Sequence, residues 1–434
     1  MSHTRLFLHP VFQRFPSAPE PIDDPVSRLR TALAESGLLG PIKPGESVAL
    51  AIGSRGINSL VPLVGTMVEA IRERGARPFI LPAMGSHGGG TAEGQEALLC
   101  SLGISEKACG APVVSSMEVV DLGRGTKEGA RLITSRLALD ADWVFPLVRI
   151  KTHTAFKGEI ESGFLKMLAV GLGKEEGARN FHLYALRSQF PEFMVQLAKG
   201  IMAHLRIPAG VAVLEDAKGR PVCLEVVGPE RFERTDRELL ERYQGLAPGL
   251  PFDQADLLIV ERMGKDISGT GMDPNVIGRT RRPIRPDPSW PKITRIWARS
   301  LTAASKGNAT GIGLADFVSA RLVREIDLGS TIKNSLSALC PENAFVPPVL
   351  EPERTLLFEA VRAAGVVEPG EARIAWIQDT GHLEKLLVSP LLAGSLKDLA
   401  CPLEEGKSID FQFDKAGNLT SFGKHWHLAT GKAL

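Results

Sequence analysis

Apolar runs of strand length recur along the chain, each followed by a polar turn and then by a stretch with helical spacing. Residues 47–52 form such a run, which leads through Gly53-Ser54-Arg55-Gly56 into a helix predicted over 59–74. In that helix Leu60, Leu63, Val64, Met67 and Ile71 fall on one stripe. A second run at 78–82 ends in the glycine-rich turn Met84-Gly85-Ser86-His87-Gly88-Gly89-Gly90, with a helix opening near Thr91. A third, 143–150, follows the helix-breaking Asp140-Ala141-Asp142 and delivers the chain to Lys151-Thr152-His153. From Ile160 to about Leu205 the pattern is mostly helical, broken at Gly171-Leu172-Gly173 and at Pro191. Strands are expected at 211–214 and 222–227, and a charged helix at 229–243.

This alternation predicts an α/β protein whose ligands sit beyond the carboxyl ends of parallel strands. The crowding of glycine and proline in Gly245–Pro251 marks the best linker. Two domains are expected, 1–250 and 251–434, each a mostly parallel sheet flanked by helices, with the active site in the cleft between them. The first would carry cofactor and catalysis and the second would close over the site. In the second, strands are expected at 255–261 and 373–377, helices near 315–324 and 352–364, and a hairpin at 408–422 that turns on Lys415-Ala-Gly-Asn418. No solenoid repeat or low-complexity tract interrupts the pattern.

Composition narrows the function classes. The 434 residues carry 51 basic against 50 acidic side chains, a net charge of +1, so whole-chain electrostatics give no reason to expect a nucleic-acid or anionic-membrane binder. Glycine is abundant, at 44 residues, which suits close approach of backbone to a ligand. The five cysteines are scattered and lack a C-x-x-C pair, so neither a disulfide framework nor a structural zinc site is expected. The first residues lack the apolar segment of a signal peptide, and no apolar stretch reaches the roughly 18 residues of a membrane span. The cytoplasm is the expected compartment.

Several polar residues fall where such a fold places its chemistry. His87 and His153 follow predicted strands, and an imidazole titrating near neutrality can act as general acid or base; the plainer reading of each is a solvated loop histidine. Lys166 stands among Phe164, Leu165, Met167 and Leu168, where a lysine either snorkels to the surface or loses its charge and becomes nucleophilic. Arg55 has the planar fork that suits a carboxylate, beside the Ser54 hydroxyl. In the second domain Arg281 is a candidate carboxylate contact within a basic cluster of Arg279, Arg281, Arg282 and Arg285. The set contains no H-E-x-x-H or other short metal spacing, and His425-Trp426-His427 reads as a strand with outward histidines.

The run Gly53-Ser-Arg-Gly, then Ala83-Met-Gly-Ser-His87, then Ala141-Asp142 leading a strand to His153, then Lys166 and His182, resembles the lactate racemase family. The resemblance covers about residues 45–182, with a fainter echo at Asp273-Pro-Asn275. It implies a nickel-pincer nucleotide, a pyridinium 3,5-dithiocarboxylate mononucleotide that holds nickel. It further implies that Arg55 and Ser54 meet the substrate, that His87 and His153 move protons, that Lys166 links the cofactor and that His182 ligates the metal. Lys157 stays open as an alternative linking lysine, the interval from Lys166 to His182 favouring Lys166. The implied reaction inverts C2 of a 2-hydroxy acid by reversible hydride transfer. A dehydrogenase on the same cofactor and a non-catalytic nucleotide- or metabolite-binding protein are the alternatives. Expected partners are the hydroxy acid and the enzymes that build the cofactor; neither nucleic acid nor membrane is expected, and a homo-oligomer stays open.

Overall fold

A computed structural model of the chain describes all residues except 1–4, 16–18, 55, 154–156, 187, 189, 283–286, 398, 399 and 403–405. The chain forms two compact units, Ser17–Ala247 and a second made of Met1–Pro16 with Pro248–Leu434. The first strand, β1 (Phe7–Gln13), therefore belongs with the C-terminal part of the sequence.

The unit Ser17–Ala247 is built on a sheet of β2 (Ser47–Ile52), β3 (Arg77–Pro82), β6 (Trp143–Ile150), β7 (Gly210–Glu215) and β8 (Pro221–Val227). Between β3 and β6 the strands β4 (Val119–Arg124) and β5 (Arg131–Ser135) form a separate antiparallel ribbon. The sheet runs β3-β2-β6-β7-β8, parallel as far as β7 and antiparallel at the β8 edge. Alternate residues of each strand enter different cores: Val48, Leu50 and Ile52 of β2 join Trp143, Phe145 and Leu147 of β6 on one face. Ala49 and Ala51 join Val144, Val148 and Ile150 on the other. Burial on both faces is why these strands read as unbroken apolar runs. The chain steps from β2 to β3 on one side, then returns to place β6 on the other. The carboxyl ends of β2 and β6 therefore flank a topological switch point, the usual ligand crevice of an open α/β sheet.

The second unit holds an eight-stranded mixed sheet. It is assembled from β1, β9 (Gln254–Val260), β10 (Lys292–Ala298), β11 (Phe317–Val318), β12 (Ile374–Asp379), β13 (His382–Val388), β14 (Ala400–Pro402) and β15 (Ile409–Asp410). The half β11-β10-β9-β12 is parallel. From β12 onward every pairing is antiparallel, including β13 with β1 and β1 with β14 and β15. This sheet is therefore only half parallel, because the N-terminal strand, inserted beside β13, closes an antiparallel edge that no local pattern announces. His425-Trp426-His427 is helical as well, in Phe422–Thr430. Phe422, Trp426 and Ala429 recur at helical spacing on a buried face, and Ser421 caps the first turn by accepting from Lys424 N. His425 is buried, its Nε2 accepts from Gln412 N at 2.8 Å, and burial lowers its pKa to about 4. The expected helix near 315–324 is reduced to Ala320–Arg324 after the short β11.

One backbone position in the first unit is fixed by sterics. Gly163 lies at φ +104°, and a Cβ there would sit 2.0 Å from Asp236 Oδ1. Gly65, inside the Leu60–Glu73 helix, has open space around its missing Cβ. Gly163→Ala should therefore lower unfolding stability by roughly 3 kcal/mol. Gly65→Ala should raise it by up to ~1 kcal/mol. Urea unfolding of the two variants checks both signs; equal effects would contradict the packing described.

Candidate functional site

Neighbouring parallel strands deliver the sequence-predicted residues to one edge of the first sheet: His87 follows β3, Ser54 follows β2 and His153 follows β6. Ser54 Oγ lies 2.5 Å from His87 Nδ1, which leaves Nε2 of the exposed imidazole pointing away from that contact. Arg55 lies outside the described residues. Its turn is nonetheless anchored from both sides: Glu215, buried at the end of β7, accepts from Asn58 N at 2.5 Å and pairs with Arg149, whose Nη1 donates to Gly56 O at 3.0 Å. Burial raises the Glu215 pKa, against the pull of Arg149.

After His153 a buried carboxylate that the sequence reading overlooks organises the loop. Glu161 accepts from His153 N at 2.7 Å, from Gly158 N at 3.2 Å and from Lys157 Nζ at 3.3 Å. The exposed Lys157 ammonium is thus held by an ion pair.

Lys166 and His182 lie on consecutive helical stretches, separated by the turn Leu172-Gly173 and by Lys174 at φ +55°. The turn Phe164–Lys166 opens into a π-helical turn, Met167–Gly171, and then the helix Lys174–Ala185. Such π turns recur at functional sites. The segment starts on Asp236, whose two carboxylate oxygens accept from Phe164 N and Leu165 N, each at 2.9 Å, while Phe164 stacks on Phe232 at 4.0 Å. Burial pushes the Asp236 carboxyl up to about 8 even though these two amides favour its ionised form. Lys166 is half-buried between buried Leu165 and Met167, and half-buried His182 meets Phe181 edge-on at 5.7 Å.

The His87 loop is fastened to this segment. Gly85, at φ +61°, donates its N–H to Gly171 O at 3.0 Å, and a Cβ at Gly85 would press on Val170 O at 3.4 Å. Beneath the loop lies Lys174, fully buried, donating from Nζ to Pro82 O at 2.5 Å and to Gln95 Oε1 at 3.1 Å. Gln95 Nε2 in turn donates to Gly85 O at 2.7 Å and reaches His87 O at 3.4 Å. Among the described residues no carboxylate pairs with Lys174, and burial lowers its pKa to about 8.

In the second unit Arg281 is spent on structure. Its Nη1 donates to Gly313 O at 2.9 Å and Ala315 O at 3.1 Å, and its Nη2 to Asp316 Oδ1 at 2.5 Å, which Arg279 also engages. Among the described residues no group of three or more His, Cys, Asp or Glu could hold a metal ion, and no helix is long and apolar enough to cross a membrane.

Two comparisons bear on this arrangement. A family model described as a domain of unknown function, DUF362, matches residues 53–228, the stretch from the Ser54 turn to the end of β8. Among solved structures, the lactate racemase apoprotein from Thermoanaerobacterium thermosaccharolyticum superposes with a TM-score of 0.51 at 12% identity, over 86% of this chain and 99% of that one. The likeness is one of fold. No curated protein matches the chain.

The overlooked residues had a partial signal. Asp236 stands in the apolar stripe Phe232, Leu239, Leu240 and Tyr243 of its helix, where a carboxylate needs a partner. Lys174 and Gln95 had none, since their neighbours in sequence are polar.

The depressed Lys174 amine makes stability depend on pH in a defined direction. Below pH 8 it is charged in both folded and unfolded chains; between 8 and the unfolded value of 10.5 the unfolded chain holds more protons, so stability rises with pH. The stability of the parent chain relative to Lys174→Met should increase by roughly 3 kcal/mol between pH 8 and 10.5. Urea unfolding of the pair across that range tests this, and parallel pH profiles would contradict it.

Proposed function

We propose that the chain is a racemase or epimerase inverting C2 of a 2-hydroxy acid, working with a nickel-pincer nucleotide. The observation that carries this reading is the hydrogen-bonded joint between the His87 loop and the helical stretches bearing Lys166 and His182, at the strand edge that also presents His153. The racemase-like fold supports it. The donor set fits such a group: one half-buried imidazole and one half-buried amine in apolar company. Lys166 would hold the nucleotide and His182 would ligate its nickel. Bound there, the group would supply a reversible acceptor of hydride from substrate Cα.

The chain's own residues then handle the proton. For His87 to take the hydroxyl proton at Nε2, Nδ1 must carry a hydrogen and donate it to Ser54 Oγ, which can accept it. His153 performs the same task for the other enantiomer, whose hydroxyl points elsewhere when the carboxylate is fixed. Glu161 keeps the His153 backbone in place for it. With the reacting carbon flattened as a keto acid, return of hydride to its other face inverts the centre.

A chiral assay of the cofactor-loaded chain over a panel of 2-hydroxy acids tests the proposal. Inversion of at least one member is expected, and His87→Asn and His153→Asn should each slow it about 10²- to 10⁴-fold. No inversion of any member in the presence of cofactor would overturn it, as would accumulation of keto acid without inversion, the signature of a dehydrogenase.

A further inference from the structure

The second unit carries a pocket of its own at the matching edge of its sheet. β10, β9 and β12 are adjacent and parallel, and the residues just past their carboxyl ends line an open pocket of about 590 Å³. Arg262 follows β9, Ser300 and Thr302 follow β10, and His382 opens β13 beyond the turn that ends β12. The volume suits a small molecule.

One wall is cationic by construction. Asp379, fully buried, accepts from Arg262 Nε at 2.8 Å on one oxygen and meets His382 Nδ1 at 2.8 Å on the other, where Gly381 N also donates. A single carboxylate thus orients an arginine and a histidine together. The side-chain contacts described for Arg262 fall on Nε, and its half-exposed guanidinium lines the pocket. The hydrogen bond to Asp379 raises the His382 pKa, so the imidazole is protonated further up the pH scale than a free histidine and keeps Nε2–H as a donor. Two cations share one buried anion, and the wall retains net positive charge.

The facing wall is built differently. Asp266 accepts from Thr302 Oγ1 at 2.5 Å and from Ser305 Oγ at 3.3 Å through Oδ1, and Thr302 and Ser305 lie 2.7 Å apart. These groups suit ligand hydroxyls as donors, to Asp266 and to Thr302 Oγ1, whose own hydrogen goes to Asp266. We infer that this pocket binds a small anionic polyol, its oxyanion held by Arg262 and His382 and its hydroxyls by Asp266 and Thr302. A carboxylate or a phosphate monoester could supply the oxyanion. The site goes beyond the hydride-transfer reading and does not rest on it.

Calorimetric titration of the full chain at pH 6.5 with gluconate, glucose 6-phosphate, orthophosphate and the neutral sorbitol tests the site. At least one of the two anionic polyols should bind, one per chain, and sorbitol should not. Preference for gluconate assigns a carboxylate ligand, and preference for glucose 6-phosphate assigns a phosphate ester. Arg262→Gln and His382→Asn should each weaken that binding at least tenfold when measured well below each variant's own unfolding midpoint; should one fail to fold, the other still decides. Because gluconate is also a 2-hydroxy acid, it is the loss of binding in Arg262→Gln and His382→Asn, both in the second unit, that separates this site from the strand edge of the first. Affinity should fall as pH rises through the His382 pKa, the groups around that imidazole being Asp379, Arg262, Glu384 and, across the pocket, Asp266. No binding of either anionic polyol, binding indifferent to both substitutions, or orthophosphate binding as tightly as the polyols would overturn the assignment.

Discussion

The arrangement in the first unit depends on a buried ammonium. Lys174 reaches the end of β3 through Pro82 O and the His87 loop through Gln95, while it opens the helix that carries His182, just after the π-helical turn that follows Lys166. Placing a cation in such surroundings without a carboxylate is costly, and two oxygen acceptors offset only part of that cost. A side chain kept under those terms holds two elements together where apolar packing alone would let a glycine-rich loop drift.

The same economy recurs with buried carboxylates. Asp236 starts the Lys166 segment by satisfying two amides that otherwise lack partners, Glu161 fixes the approach to His153, and Glu215 fixes the turn after β2. In the second unit Asp379 does this work for two cations at once. In each case a charge removed from water sets the position of a group that faces it.

What the sequence disclosed follows from locality. β2 and β6 were legible because strands buried on both faces must be continuously apolar, and the polar residues placed at their ends follow from the fold class. Ser54, His87 and His153 were chosen as candidates in this way, and the structure brings Ser54 to His87. The pairing of β1 with β13 was not legible, since a short strand carries no mark of a partner hundreds of residues away. The helical His425 was missed because alternation of two histidines outweighed the Phe422, Trp426, Ala429 spacing. Arg281 drew attention as a free fork, whereas its charge answers Asp316.

The central claim is that the strand edge holds a nucleotide through Lys166, and mass spectrometry of the intact protein addresses it directly. The chain would be purified from cells that also express the enzymes building the nickel-pincer nucleotide. The account predicts a mass increase of one cofactor on the parent chain, absent in Lys166→Ala and retained in Lys157→Ala. An unmodified parent chain, or an adduct that survives Lys166→Ala, would contradict it.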